Sequence, residues 1–387
     1  MSTLATNAIT DASGGNTATI NSYTPTESNM AGRNRIINGD MRIDQRNAGA
    51  SVAVSNSTPN FITDRFAARN VSNNLTAQQV TDAPSGFVNS LKITVGTGAS
   101  PSSANRNGLS QNIEGYNVAD LDYGAATAKT VTVSFWVKSS LTGTFGAALR
   151  DTGTEATATY SYVFNYVINT ANTWEYKTAT IDGNTSGSWN KTNGLGLSLM
   201  FDLGSGSNLE TTTNQWASGN YVRSSSNVIL GETSGATWQV TGVQLEAGSV
   251  ATPFEHRQYG QELALCQRYF ESGFPAGVAV ADNTTYAYFN GGALGATAYA
   301  TNALRTLSID FMVPKRTSPT VILYRVNSIG SANHWVYYNP GAGWTNYSDA
   351  TNVVCNSNTN FNVRSTQTST AGIAYMIDGQ WSASAEL

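Results

Sequence analysis

The sequence predicts a mainly-β protein: an N-terminal extended arm, an antiparallel β-sandwich of the jelly-roll kind, a short connector helix and a smaller C-terminal β-sandwich. Three observations predict it. Apolar residues recur with period two in one segment after another. Ser, Thr, Asn and Gly supply the polar surface, and their short side chains suit turns and pleated faces better than helices. Charged residues make up only 12% of the 387, about half the usual ~25%.

Taken in chain order, residues 1–33 come first. They hold few large apolar groups and cannot bury enough surface to fold alone. They read as a disordered tail or as an arm that orders against a partner. "RIINGDMRID" then places the turn dipeptide Asn38-Gly39 between apolar pairs. "SLKITVG" alternates Leu91, Ile93 and Val95. "TVTVSFWVK" sends Val131, Val133, Phe135 and Val137 to one face and Thr132, Ser134, Trp136 and Lys138 to the other. "YSYVFNYVI" and "GLGLSLMFDL" repeat the pattern. "ATWQVTGVQLEAG" changes phase across Gly242, which predicts a β-bulge. These strands predict one sandwich over residues 34–250.

Residues 251–271 predict a turn and a connector helix. Pro253 opens the turn, and Tyr259, Leu263, Cys266 and Phe270 follow at spacings of a single helical stripe. Gln261, Glu262 and Gln267 fall on the opposite side. Short strands resume over 272–387 and predict a distal β-domain.

Chemistry has little foothold in the pattern. The net charge is -4 with no basic run, so neither nucleic acid nor an anionic membrane is an expected partner. No apolar stretch approaches a membrane span. "MSTLATNAITDASGG" lacks a basic and an apolar region, so no secretory signal is expected and Cys266 and Cys355 read as reduced thiols. His256 and His334 lack metal-ligand spacing, and neither a metal nor another cofactor is expected. Carboxylate pairs for sugar hydrolysis are candidates only in number, among Asp40, Asp44, Asp64, Glu114, Asp120, Asp122, Asp151, Glu155 and Asp202.

Binding is better supported than turnover. Trp136 lies opposite the aliphatic row of its strand, where an indole stacks on a sugar ring, on a sister chain or in a second core. Arg150 and Asp151 follow the next strand and bond either hydroxyls or each other. "SANHWVYYNPGAGWTNYSD" gathers Trp335, Tyr337, Tyr338, Trp344 and Tyr347 around a turn, the composition of a contact surface or of a small core.

"NMAGRNRIINGDMRIDQRNAG", "ITDRF", "VSFWVKSS", "GVQLEAGSVATPFEHRQYGQELALCQRYFE" and the terminal "SAEL" resemble bacteriophage tail fibre and related virion proteins. Gln244 to Tyr269 matches that pattern nearly throughout, and Phe270 stands where a second Tyr is common. The resemblance implies a non-enzymatic virion component, a homotrimer assembled in the host cytoplasm. Residues 1–33 would dock on other virion proteins of the tail or capsid. The sandwich would be similar to carbohydrate-binding modules, and the distal domain would meet a host cell-surface glycan. A capsid-decoration or head-fibre protein is the alternative from the same resemblance, and a polysaccharide depolymerase the alternative from another class.

Overall fold

The computed structural model describes residues 32–55, 60–71, 74–151, 158–282, 293–300, 303–306, 308–325, 335–339, 343–346, 352–354, 357–365, 370–371 and 373–387. The expected arm falls outside them except for its last two residues. Thirteen strands build the first unit: β1 (Val52–Val54), β2 (Asn60–Thr63), β3 (Phe66–Asn70), β4 (Leu75–Val80), β5 (Ser90–Val95), β6 (Asn107–Glu114), β7 (Val131–Ser139), β8 (Gly143–Arg150), β9 (Tyr160–Ile168), β10 (Glu175–Ile181), β11 (Leu195–Asp202), β12 (Trp216–Ser218) and β13 (Thr237–Ala247). They pair antiparallel in two sheets, one ordered β1-β4-β5-β13-β7-β10 and the other β12-β9-β8-β11-β6-β3-β2. The chain is a mainly-β, antiparallel sandwich of the jelly-roll kind.

Alternation decides which side chains enter the core. Val131, Val133, Phe135 and Val137 of β7 meet Tyr162, Phe164, Tyr166 and Ile168 of β9, and Leu197, Leu199 and Phe201 of β11, between the sheets. Phe135 lies edge-on to Tyr166 and Phe201 with centroids 5.1 and 4.9 Å apart. The phase change at Gly242 is a bulge. Gly242 takes φ +62°, and the register jumps from Thr241 opposite Trp136 to Gln244 opposite Ser134.

Asn38-Gly39 makes a turn, but its flanks are not strands. They form a buried cord at the foot of the sandwich. Asn38 sits at φ +59°, and its amide donates to the carbonyls of Ile43 and Asp64 at 2.8 and 3.0 Å. Gly39 is required by closeness: a Cβ there would stand 2.1 Å from the Val243 carbonyl oxygen.

After β13 the chain doubles back over its own strand. Gln244 and Glu246 project outward and hold it there. The backbone N–H groups of Glu255 and Thr252 donate to them at 2.9 and 2.8 Å. Helix α1 (Tyr259–Gln267) follows. It departs from the expected stripe at both ends. Tyr259 is 53% exposed, and Phe270 lies beyond the helix, in β14 (Phe270–Ser272). The buried helical residues are Cys266 and Glu262, the latter expected to face outward. The reason is that the helix packs on the polar cord as well as on apolar groups. Glu262 accepts from the Asn38 N–H at 2.5 Å and pairs with Arg257 at 3.3 Å, satisfying a backbone donor that the turn leaves without a strand partner. Burial pushes the Cys266 thiol well above its ordinary range, and the Asp64 and Glu262 charges push the same way.

The second unit adds β15 (Ala293–Ala300), β16 (Ala303–Thr306), β17 (Ile309–Asp310), β18 (Thr320–Tyr324), β19 (Val336–Asn339), β20 (Gly343–Asn346), β21 (Asn352–Val354), β22 (Asn360–Ser365), β23 (Ala374–Asp378) and β24 (Gln380–Ser384). One sheet runs β14-β24-β18 and the other β17-β22-β16-β15-β23-β19-β20, with β21 paired to β22. Phe311, Leu323, Trp335, Phe361, Val363 and Tyr375 form its core.

Buried charges join the two units. Glu386, from the chain's last residues, pairs with Arg46 at 2.9 Å and with Arg65. Those guanidinium groups lie 3.6 Å over the rings of Phe270 and Tyr269 respectively. Glu114 of β6 takes Arg268 at 2.6 Å and the Tyr269 hydroxyl at 2.6 Å. Burial alone would raise the Glu114 pKa, but these two donors outweigh it and hold it below the ordinary value. Beside Arg46, burial lifts Asp64 to about 6 from an ordinary 3.8, against the opposing pull of Arg46 and Gln45.

The sign of the Asp64 shift fixes a prediction. Between about pH 4 and 6 the unfolded chain releases this proton while the folded chain keeps it, so this group's contribution to stability falls as pH rises. Urea denaturation should show wild type losing on the order of 3 kcal/mol relative to Asp64→Asn across that window, at ~1.4 kcal/mol per unit. A difference that stays flat with pH contradicts the assignment.

Candidate functional site

The outer face of the β1-β4-β5-β13-β7-β10 sheet carries a row of aromatic rings. Because Val133, Phe135 and Val137 point inward, Trp136 points out, and the β7–β10 register sets Tyr176 directly across from it. The two rings lie 5.4 Å apart at 49°. Trp136 is half-buried and Tyr176 is 43% exposed. The bulge makes the next step possible: a Cβ on Gly242 would stand 2.7 Å from Phe87 and 3.1 Å from Trp136, so only glycine lets both rings settle on the sheet. Phe254 and His256 extend the row, with centroids 5.2 and 5.4 Å from Phe87. His256 is thus an exposed ring neighbour.

Polar groups border the rings. Lys138, on the same face of β7, pairs with Asp82. Its ammonium lies 5.0 Å from the Trp174 ring centroid, and the Trp174 indole donates to Asp82 at 3.4 Å. The Lys138 hydrogen bond holds the Asp82 carboxyl below its ordinary pKa, against a smaller effect of burial. Flat apolar rings beside fixed donors and acceptors are the chemistry that a sugar, with an apolar face and a hydroxyl rim, requires.

The other sheet is covered on part of its outer side by the loops on either side of β12. Ala148, Val163 and Met200 of the sheet pack there against Leu209 and Val222. Arg150 enters this layer and is 1% exposed. Its guanidinium donates to Asn220 at 3.0 Å and to Ser198 at 3.4 Å. Asp151 is buried at the strand end, accepting from the Thr159 N–H at 2.7 Å. Both were candidates for hydroxyl contact, and burial turns them instead toward the protein. Beside Asn220 opens a cleft of about 410 Å³ lined by Arg69, Asn105, Arg106, Asn208, Leu209 and Asn220, among others.

The C-terminal aromatic cluster divides. Trp335 is 1% exposed, and its indole donates to the Gln380 carbonyl at 2.7 Å. Gly379 lies flat beneath it, where a Cβ would stand 1.9 Å from the ring. Trp335 is therefore corrected from surface to core, because Gly379 leaves a slot that only a flat ring fills. Tyr337 and Tyr338 lie in β19 and Trp344 in β20, with Tyr338 opposite Trp344. Tyr347, His334, Cys355 and Glu155 fall outside the described residues.

The carboxylates considered for hydrolysis are engaged elsewhere. Asp40 pairs with Arg42, Asp120 with Arg35 and Asp122 with Lys191. Asp44 accepts from the N–H groups of Asn47 and Gly49 at 2.8 and 2.7 Å, and Asp202 from those of Gly204 and Ser205 at 3.1 and 2.9 Å. Among the described residues no three His, Cys, Asp or Glu side chains gather as metal ligands, and no helix is long and apolar enough to cross a membrane.

No family model and no curated protein matches the chain. Solved structures do. A putative sugar binding protein from Bacteroides thetaiotaomicron is 12% identical at a TM-score of 0.32, over 56% of this chain and all of that one. The family 11 carbohydrate-binding module from Clostridium thermocellum, in complex with a β-1,3-1,4-mixed-linked tetrasaccharide, is 10% identical at 0.27, over 50% and 91%. The enzymatically active domain of tailspike protein 4 from bacteriophage CBA120 is 14% identical at 0.28. There the match spans 50% of this chain and 21% of that one.

The sequence reading placed Trp136 opposite the inward row of its strand, which the structure bears out, and did not name Tyr176, Trp174, Phe87 or Asp82. A signal for two of them was present: Trp174, Tyr176, Thr178 and Thr180 alternate along "WEYKTAT". What places them beside Trp136 is the strand register. For Trp335, truncation to Ala should cost about 3–5 kcal/mol by chemical denaturation, the usual loss for a buried large aromatic. A Trp335→Ala protein of wild-type stability would put the ring back on the surface.

Proposed function

We propose that this chain is a non-enzymatic bacteriophage virion protein, a tail fibre or receptor-binding protein, that attaches the particle to a host-surface glycan. The observation that carries the glycan part is the Tyr176–Trp136–Phe87 row on the open face of the sandwich, bordered by the Lys138–Asp82 pair. A sugar laid on these rings covers its C–H face while its rim hydroxyls reach the charged pair and the Trp174 indole.

The virion part is supported by the resemblance of the "QLEAGSVATPFEHRQYGQELALCQRYFE" stretch and the "SAEL" terminus to fibre proteins. Both stretches meet in one buried joint: the Ala385 N–H donates to the Tyr269 carbonyl at 2.7 Å. In this reading residues 1–33 dock on the particle, three copies associate, and both the aromatic face of the sandwich and the distal unit over 272–387 meet the host surface.

The test is adsorption of the purified chain to host cells, with its mass by light scattering. The double variant Trp136→Ala, Tyr176→Ala should adsorb at least tenfold more weakly, about 1.4 kcal/mol, while remaining folded and trimeric. Unchanged adsorption sinks the platform. Release of reducing ends from host polysaccharide sinks the non-enzymatic reading, and a wild-type monomer at micromolar concentration sinks the fibre architecture.

A further inference from the structure

We propose that Asn193 is a modification site, where the Asn193-Gly194 peptide converts spontaneously to isoaspartate with the Arg316 guanidinium stabilising its carbonyl oxygen. The site lies at the joint of the two units and stands apart from the glycan reading.

Three Asn-Gly pairs lie among the described residues, beginning at Asn38, Asn107 and Asn193. Their shared chemistry needs a side-chain amide free to move and a nitrogen on the next residue that it can reach. Glycine offers that nitrogen with no Cβ in the way. The first two pairs are locked. Asn38 is buried, its Nδ2 donating to the carbonyls of Ile43 and Asp64 and its Oδ1 accepting from the Ile43 N–H. Asn107 is buried too, with Nδ2 on the Gly204 carbonyl and Oδ1 taking the Val71 N–H, both at 2.9 Å. Asn193 differs. It is exposed in the loop before β11. Neither its side chain nor the Gly194 N–H has a hydrogen-bond partner among the described residues.

The Asn193 carbonyl, by contrast, is held. Arg316, from the second unit, donates to it at 2.6 Å, and the same guanidinium takes the carbonyls of Ala385 and Glu386 at 2.9 Å each. The flanking carbonyls of Thr192 and Gly194 accept from the N–H groups of Tyr116 and Gly115, both at 2.8 Å. A cation on the Asn193 oxygen acts at both stages of the reaction. When the Gly194 nitrogen gives up its proton, charge spreads onto that oxygen, where the guanidinium stabilises it. The nitrogen then attacks the Asn193 Cγ. The new C–N bond closes a succinimide ring, and the side-chain nitrogen takes a proton and leaves as ammonia. Water opens the ring next. The guanidinium polarises the main-chain carbonyl, so water adds at that carbon, its bond to the ring nitrogen breaks, and the nitrogen takes the proton. The chain now continues through Cγ, and the oxygen that Arg316 held belongs to a carboxylate. One water is consumed, one ammonia is released, and a neutral acceptor at the joint becomes an ionised one.

The experiment incubates the purified full chain in mildly alkaline buffer and follows its digested peptides by mass spectrometry. Isoaspartate is scored by labelling with a protein isoaspartyl methyltransferase. Asn193 should convert roughly tenfold faster than Asn38 or Asn107. Arg316→Gln should slow conversion at Asn193 and move its product from isoaspartate toward aspartate, and Gly194→Ala should slow it severalfold. Because Arg316→Gln also loosens the joint, the wild-type chain unfolded in guanidinium chloride gives a second comparison. There all the pairs should converge in rate, and the isoaspartate share at Asn193 should fall. Equal rates at the pairs in folded protein, or no conversion at Asn193 while the unfolded chain converts, overturns the site. The same product ratio in folded wild type, Arg316→Gln and the unfolded chain overturns the part given to Arg316.

Discussion

The structure depends on a set of charges taken out of water at the junction of its two units. Glu386 lies between Arg46 and Arg65, and Glu114 lies beneath Arg268 and Tyr269. Leaving any one of these groups alone in a low-dielectric interior costs several kcal/mol, so each is tolerable only while its partners are in place. The partners come from distant stretches: Arg46 and Arg65 from the start of the sandwich, Arg268 from the end of the helix, Glu386 from the penultimate position of the chain. Burial lowers both Arg46 and Arg65 to about 10, as expected for guanidinium groups taken out of water. The same residues stack on the Tyr269 and Phe270 rings, so packing and charge select one docking geometry together.

Around this joint, polar residues between Gln244 and Glu262 hold other stretches of chain in place. Gln244 and Glu246 tie the returning loop to the outside of β13. Glu255 accepts from the backbone of Gly32 and Asn34 at 2.9 and 2.8 Å, and Glu262 from Asn38. The bulge at Gly242 serves the site as well as the ladder, since the glycine that shifts the β13 register also clears the floor under Trp136 and Phe87. One local break in the ladder thus connects the fold to the binding face.

Much of the fold was legible because period-two alternation is a local signal. The inward row of β7, the opposing row of β9 and the bulge at Gly242 could all be read from neighbours in sequence. The helix was legible as an element and misread as a surface, since apolar spacing says nothing of a buried carboxylate whose partner is a backbone N–H over two hundred residues away. Trp335 was ambiguous for a similar reason: its slot is made by Gly379, in another segment. The cleft beside Asn220 was invisible, because its walls come from residues 69–71, 104–106, 208–209 and 220, which only the sheet order brings together. Clefts assembled from a long-range register leave no motif.

Glu386 holds the two units together through Arg46 and Arg65. Hydrogen exchange of Glu386→Gln against wild type tests it most directly. Removing one partner from a buried pair typically costs 3–5 kcal/mol. Amides of β14 and β24, and the Ala385 N–H bonded to Tyr269, should therefore lose several powers of ten in protection while β7 and β13 keep theirs. Unchanged protection at β14 and β24 would contradict it.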